Sequence, residues 1–166
     1  MIGKLLSYVR RKYYSIYSRM YVSILKKMYA PYIYIERVSI RPGFHVIIEN
    51  NATLKIGKDC FFNYNCSITA LNHIEIGDDC IFGENVKIYD HNHRFSDNTQ
   101  LIHKQGFSIK EVSIGNNCWI GSGVKILAGS KIGDNCVIGA NVVVNGEICS
   151  NSVVKNCGDY VIETRR

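Results

Sequence analysis

Two histidines and an aspartate lie within four residues, in the stretch Asp90-His91-Asn92-His93, and His103 follows ten residues after His93. Imidazole titrates near neutral pH, so it can take the proton from an attacking hydroxyl, and a neighbouring carboxylate can orient its ring. Histidine and aspartate also bind zinc, but zinc requires ligands that converge in space, and no spacing here indicates convergence. The cluster therefore predicts proton transfer rather than metal binding.

The chain around this cluster is built from a repeat. Four copies of the phrase Ile-Gly-x-x-Cys begin at residues 56, 76, 114 and 132, and a second hexad of the same pattern follows each copy. A large apolar residue recurs every sixth position, and glycine, asparagine or aspartate falls where a corner needs positive φ. Three such sides close a triangular coil of about 18 residues, and stacked coils pair edge to edge. The sequence predicts an all-β fold, a parallel β-helix of hexapeptide coils.

The spacing of the copies indicates where the coil is interrupted. The step from Ile114 to Ile132 is one coil of 18 residues, and the step from Ile56 to Ile76 is 20 residues. The step from Ile76 to Ile114 is 38 residues, which is one coil and 20 residues that the helix does not need. We therefore expect an extruded loop at about residues 90–111, with the histidine cluster at its root.

Residues 1–31 differ from the rest of the chain in pattern and in charge. An apolar stripe follows a helical period, and seven basic residues but no acidic residue precede residue 31. The stripe consists of Ile2, Leu5, Leu6, Val9, Tyr13, Ile16, Met20 and Ile24. Such a helix packs on the solenoid or on a neighbouring subunit, or it lies on an anionic membrane surface. We expect the helix to end at Pro31 and the β-helix domain to occupy residues 32–166.

Composition argues against several classes of protein. The net charge of +6 comes from the N-terminal segment, and the rest of the chain is nearly neutral and carries no nucleic-acid-binding motif. Five of the seven cysteines fall at the small inward position of a hexad, where a thiol packs as a small hydrophobe. We therefore expect reduced cysteines, a cytoplasmic protein, and neither a signal peptide nor a membrane span.

The segment from Ile114 to Val124, Ile-Gly-Asn-Asn-Cys-Trp-Ile-Gly-Ser-Gly-Val, resembles the hexapeptide-repeat acyltransferases, in particular the galactoside, maltose and polysaccharide O-acetyltransferases. The resemblance extends over about residues 40–155. It implies a left-handed coil, although general topology rules favour right-handed parallel crossovers. It also implies acetyl-CoA as the acyl donor and a homotrimer in which the long loop of one subunit reaches the groove of the next.

The resemblance implies roles for the histidine cluster. The stretch from Ile81 to His93 is similar to the family's approach to its catalytic histidine, so His93 is implied as the general base. Asp90 would orient an imidazole, and His91 would contact substrate or be the base in place of His93. The base would deprotonate a sugar hydroxyl for attack on the thioester, and backbone N–H groups at a coil corner would stabilise the oxyanion.

The resemblance also implies a donor site on the later coils. Trp119 would form a wall of the donor groove, the Ser122 amide would lie near the thioester, and Ala140 would let pantetheine approach the backbone. The C-terminal stretch from residue 156 departs from the family's pattern. The candidate contacts for the coenzyme's phosphates are Lys155, Arg165 and Arg166.

The sequence therefore predicts an acetyl-CoA-dependent O-acetyltransferase that acts on a sugar or a polysaccharide precursor. A sugar N-acetyltransferase acting on a nucleotide-linked amino sugar fits the same fold, and so does a trimeric scaffold without activity. The histidine cluster argues against the scaffold. γ-Class carbonic anhydrases share the fold and bind zinc through three histidines, but their paired ligands lie about five residues apart, whereas His91 and His93 are two apart.

Overall fold

The structure, a computed structural model, describes residues 2–156, so Arg165 and Arg166 lie outside the described residues. One long helix, α1, spans Ile2–Tyr29, and a short 3-10 helix spans Ile102–Lys104. The strands of the described chain, in order, are β1 Ile33–Ile35, β2 Val38–Ile40, β3 His45–Ile48, β4 Thr53–Ile56, β5 Cys60–Phe62, β6 Ser67–Ala70, β7 His73–Ile76, β8 Ile81–Phe82, β9 Lys87–Tyr89, β10 His91–His93, β11 Phe107–Ile109, β12 Val112–Ile114, β13 Trp119–Ile120, β14 Lys125–Ile126, β15 Lys131–Ile132, β16 Val137–Ile138, β17 Val143–Val144, β18 Glu147–Ile148 and β19 Val153–Val154.

Three parallel sheets form the three sides of a solenoid. The first side holds β1, β4, β7, β12, β15 and β18, the second holds β2, β5, β8, β13, β16 and β19, and the third holds β3, β6, β9, β14 and β17. Within each side, a strand pairs in parallel with the strands one coil before and after it. The architecture is the left-handed parallel β-helix, so the predicted fold class is confirmed.

The strand register shows where the extra residues leave the coil. Ile76 pairs with Ile56 on one side and with Ile114 on the other, although 38 residues separate it from Ile114 in sequence. The residues between β9 and β12 that exceed one coil are therefore extruded, as the spacing predicted.

The extruded segment contains an antiparallel hairpin that the sequence did not predict. In this hairpin β10 pairs with β11, so that His91 lies opposite Ile109 and His93 lies opposite Phe107. Both strands are three residues long and neither carries the hexapeptide pattern, so nothing in the repeat marks them.

The inward positions of the hexads form one continuous core. The repeated isoleucines are buried, and the five cysteines at inward positions are buried and free of disulfides. Four of the thiols, those of Cys60, Cys80, Cys118 and Cys136, form one column along the solenoid, whereas Cys66 lies at the corner before the third side. Each of the five donates to a backbone carbonyl of the next coil, as Cys60 Sγ does to Gly77 O at 3.1 Å. The corner residues that precede four of these cysteines adopt φ between 52° and 59°, and they are Asp59, Asp79, Asn117 and Asn135.

Helix α1 covers the first coil with the face opposite to the predicted apolar stripe. Ser18, Val22 and Leu25 are buried against the solenoid, and the Ser18 hydroxyl accepts a hydrogen bond from Ile40 N at 3.0 Å. The stripe residues Leu5, Leu6, Val9, Tyr13, Ile16, Met20 and Ile24 are each at least half exposed. Of the three alternatives for the stripe, packing on this chain's own solenoid is therefore excluded. Within residues 2–156 no helix is both long and apolar enough to cross a bilayer.

Candidate functional site

A buried carboxylate anchors the root of the hairpin. Asp90 follows β9, is fully buried, and accepts hydrogen bonds from the backbone amides of Leu71 at 2.9 Å and Asn72 at 2.7 Å. These two amides belong to the corner after β6, one coil earlier. Burying a charge is costly unless it is hydrogen-bonded, and here the backbone supplies the donors. Asp90 therefore fixes the point at which the chain leaves the solenoid.

The imidazole that Asp90 orients is that of His91. His91 Nδ1 lies 3.1 Å from Asp90 Oδ1, and because an ionised carboxylate can only accept, Nδ1 carries the proton of this hydrogen bond. The His91 ring is mostly buried and lies edge-on to the Phe107 ring, at 5.3 Å between centroids. Asp90 therefore contacts the imidazole of His91, whereas the sequence did not indicate which histidine it would contact.

His93 lies on the same face of the hairpin and is exposed. Its ring also packs against Phe107, with centroids 4.6 Å apart, so both imidazoles contact the same phenylalanine. His93 lines an open cavity of about 500 Å³ together with Gln100, Leu101, Ile102 and His103. The cavity therefore combines two imidazoles and an amide with the apolar pair Leu101 and Ile102, which the sequence analysis did not identify.

Hydrogen bonds within the loop hold the segment that carries Gln100, a residue of the cavity lining. Gln105 Nε2 donates to the backbone carbonyls of Asp97 at 2.8 Å and Gln100 at 3.0 Å, and Asp97 N donates to Gln105 Oε1. The Thr99 hydroxyl and amide donate to the Asp97 carboxylate and lower its pKa. This network gives the loop a defined conformation near His93.

The residues predicted to hold an acyl donor lie at a different corner of the coil. Ser122 and Ala140 occupy the corner between the second and third sides in successive coils, and Asn141 N donates to Ser122 O at 2.9 Å. Trp119 lies on the second side just before this corner, with 57% of its surface exposed. Lys155 is exposed and follows β19, at the same corner one coil further on. Predicted donor residues therefore form one column along the solenoid.

Within one chain the column and the histidine cluster remain apart. The cluster lies where the third side meets the first, and the column lies where the second side meets the third. A side of about five extended residues is about 16 Å long, so the two corners do not share one site in a single subunit.

The histidine cluster is not arranged as a metal site in the described part of the chain. Between residues 2 and 156 no group of three or more histidine, cysteine, aspartate or glutamate side chains is arranged to hold a metal ion. The arrangement of the cluster is suited to proton transfer: one imidazole is fixed by a buried carboxylate, and the other is open to a cavity.

The coils of the chain match known families of hexapeptide-repeat proteins. Residues 111–146 match the family "Bacterial transferase hexapeptide (six repeats)", and residues 53–89 match "Hexapeptide repeat of succinyl-transferase". A protein of Mycobacterium tuberculosis named as a probable acetyltransferase is 36% identical over 77 residues, which are 46% of this chain and 26% of that protein. The chain thus spans about a quarter of the length of this curated relative.

Three solved structures of acetyltransferases share the fold of this chain. A maltose O-acetyltransferase from Clostridium difficile superimposes with a TM-score of 0.63 at 28% identity, covering 83% of this chain and 81% of that one. A galactoside acetyltransferase in complex with coenzyme A gives 0.60 at 30% identity, covering 74% and 64%. A hexapeptide-repeat acetyltransferase of Vibrio cholerae in complex with acetyl-CoA gives 0.63 at 26% identity, covering 73% and 64%. Two hexapeptide-repeat family models thus match its coils, and its fold is that of these acetyltransferases, so the chain is similar to the hexapeptide-repeat acyltransferases.

Proposed function

We propose that this chain is an acetyl-CoA-dependent O-acetyltransferase that acts on a sugar or a polysaccharide precursor. The observation that carries the proposal is the hairpin root, where buried Asp90 holds His91 beside an exposed His93 at an open cavity. The solved relatives named above support the acyl donor, because two of them contain coenzyme A or its acetyl thioester. A scaffold would have no use for this cluster.

In the proposed reaction His93 is the general base. Its imidazole takes the proton of the acceptor hydroxyl while the oxygen attacks the acetyl carbon of the thioester. The oxyanion that forms is stabilised by the Ser122 backbone N–H at the rigid coil corner. The intermediate then collapses with cleavage of the carbon–sulfur bond, and the imidazolium returns its proton to the coenzyme A thiolate. The acceptor leaves as an acetyl ester.

The other residues bind and position the two substrates. Trp119 forms a wall of the donor groove, Ala140 leaves room for the pantetheine arm against the backbone, and Lys155 contacts the coenzyme's phosphates. His91, held by Asp90, fixes Phe107 beside His93 and contacts the acceptor. The cavity beside His93 accommodates the acceptor, and its mixture of amide, imidazole and aliphatic groups suits a sugar ring with polar edges and apolar faces.

We propose that the working unit is a homotrimer. A single subunit holds the two halves of the site at different corners of its coil, so His93 of one subunit must meet the donor corner of the next. The extruded hairpin is the element that bridges this gap. We also place the enzyme in the cytoplasm, where acetyl-CoA is supplied, and in peripheral contact with a membrane through residues 1–30.

A coenzyme A release assay tests this function. Purified protein is incubated with acetyl-CoA and a panel of sugars, oligosaccharides and nucleotide-linked amino sugars, and the free thiol is measured. The proposal expects thiol release with a hydroxyl acceptor, an ester product by mass spectrometry, and loss of release in His93→Ala. An amide product on an amino sugar would select the N-acetyltransferase instead. No acetyl-CoA binding at all would indicate a scaffold.

A further inference from the structure

Helix α1 presents two faces that differ in what they contact. The buried residues Ser18, Val22 and Leu25 recur at intervals of four and three and form one line against the first coil. Ile16 and Met20 lie two positions from members of this line, which at about 100° per residue places them on the far side of the helix. Met20 is 62% exposed there, in line with the rest of the stripe. The helix therefore keeps its most apolar face in solvent.

The apolar stripe continues past the region where α1 touches the solenoid. Leu5, Leu6 and Val9 lie in the N-terminal half of the helix and are more than half exposed. A helix of 28 residues is about 42 Å long, so the stripe is a long, narrow band and not an isolated side chain. Monomeric proteins rarely expose an apolar surface of this extent unless it binds something.

Basic side chains run along one edge of the stripe. Lys12, Arg19 and Lys26 are spaced by seven residues, so they stand one above another along the helix, next to the apolar band. Lys12 Nζ also lies 4.9 Å from the centre of the Tyr8 ring on the same edge. None of the ion pairs between described residues involves α1, and the first acidic residue of the sequence is Glu36.

We propose that α1 lies in the interfacial plane of an anionic phospholipid bilayer, with its apolar stripe among the acyl chains and the basic edge on the headgroups. An apolar face with basic side chains along its edge is the composition of helices that lie in a membrane interface. Each lysine or arginine near an anionic surface adds attraction. The face with Ser18 and Leu25 meanwhile holds the solenoid on the solvent side.

Charge disfavours a second copy of α1 as the occupant of the stripe. Two copies that packed stripe to stripe would bring their rows of lysine and arginine together without a carboxylate between them, since the helix contains none. An anionic surface supplies the missing charge. The proposal is independent of acetyl transfer, because it concerns binding through α1 alone.

The test is cosedimentation of the full chain with vesicles. One set contains phosphatidylglycerol and phosphatidylcholine in equimolar amounts, and the other contains phosphatidylcholine only. We expect the wild-type protein to bind the anionic vesicles and to be released by high salt. The double substitution Ile16→Glu with Met20→Glu should weaken binding by about a hundredfold. The matched control, Ser7→Glu with Ser15→Glu, adds the same charge away from the stripe and should change binding much less.

Two further results decide the proposal. Replacing Lys12, Arg19 and Lys26 together by glutamine should weaken binding to anionic vesicles by about a hundredfold and reduce its salt dependence. Thermal unfolding and coenzyme A release should stay unchanged in both the stripe and the edge variants. Equal binding to both vesicle types, or binding that the stripe variant leaves intact, would overturn the proposal. The proposal would also be overturned if the wild-type protein did not bind vesicles and the stripe variant dissociated into smaller oligomers, because the stripe would then be a subunit contact.

Discussion

The two corners that share the proposed site are built in different ways. At the donor corner, Ser122 and Ala140 occupy equivalent positions one coil apart. A Cβ on Gly121 would lie 2.7 Å from Ala140 N, so the close stacking of the coils requires glycine at position 121. At the hairpin corner nothing repeats, and Asp90 reaches back one coil to the amides of Leu71 and Asn72. The regular corner is a straight column of small residues, which suits the proposed binding of a long donor molecule. The interrupted corner provides a place where side chains can do chemistry.

The largest effect should come from the hairpin corner. His93→Ala should lower kcat by about 10² to 10⁴, because a general base contributes that much. The KM for acetyl-CoA should stay within about twofold of wild type, since the donor lies on the other corner. Steady-state kinetics with an identified acceptor measures both. Loss of coenzyme A binding in this variant would mean that His93 supports structure, and His103→Ala serves as the control on the same cavity.

The carboxylate below the hairpin should have the next largest effect. Asp90→Asn leaves at least one of the Leu71 and Asn72 amides poorly paired and should cost about 1–3 kcal/mol of unfolding free energy. It should also lower kcat by about 10- to 100-fold, because His91 loses its orienting partner. His91→Ala is the matched variant: it should reproduce the kinetic loss and spare most of the stability, as chemical denaturation would show. An Asp90→Asn variant that is as stable as wild type would refute the anchoring role.

At the donor corner a steric block should change binding and not chemistry. Ala140→Trp fills the space beside the backbone and should raise the KM for acetyl-CoA by about tenfold or more, with kcat for the bound complex less affected. Ala140→Ser is the conservative control and should behave almost as wild type. Isothermal titration calorimetry with coenzyme A measures the affinity of each variant directly. An unchanged affinity in Ala140→Trp would place the donor elsewhere.

The smallest effect is expected at the wall of the groove. Trp119→Ala removes an exposed ring from the second side and should raise the KM for acetyl-CoA by about fivefold, whereas Trp119→Phe should recover most of the loss. Because the ring lies outside the core, the unfolding temperature should not change. A large fall in stability would instead show that the ring covers the coil face.

The repeat explains why so much of the solenoid could be predicted. Every sixth residue had to point inward, so the buried isoleucines, the stacked cysteines and the position of the extruded loop followed from spacing. The handedness came only from the resemblance to a family. The contact between Asp90 and Leu71 could not be predicted, because it joins two non-repeating corners 19 residues apart. The sequence left three contacts open for the apolar stripe of α1, and it could not choose among them, because the contact with the solenoid is made by a serine that pairs with Ile40 N on the opposite face.

The claim that one site needs two subunits can be tested by complementation. The His93→Ala and Ala140→Trp variants are expressed together with different tags, and mixed trimers are purified through both tags. Activity is measured at an acetyl-CoA concentration well below the KM of Ala140→Trp, where each variant alone retains at most about a tenth of wild-type activity. If His93 of one subunit faces the donor corner of the next, each mixed trimer contains one intact site, and activity should return to about one third of wild type. If the mixed trimers stay as inactive as the parents, both halves of the site belong to one chain, and the account is contradicted.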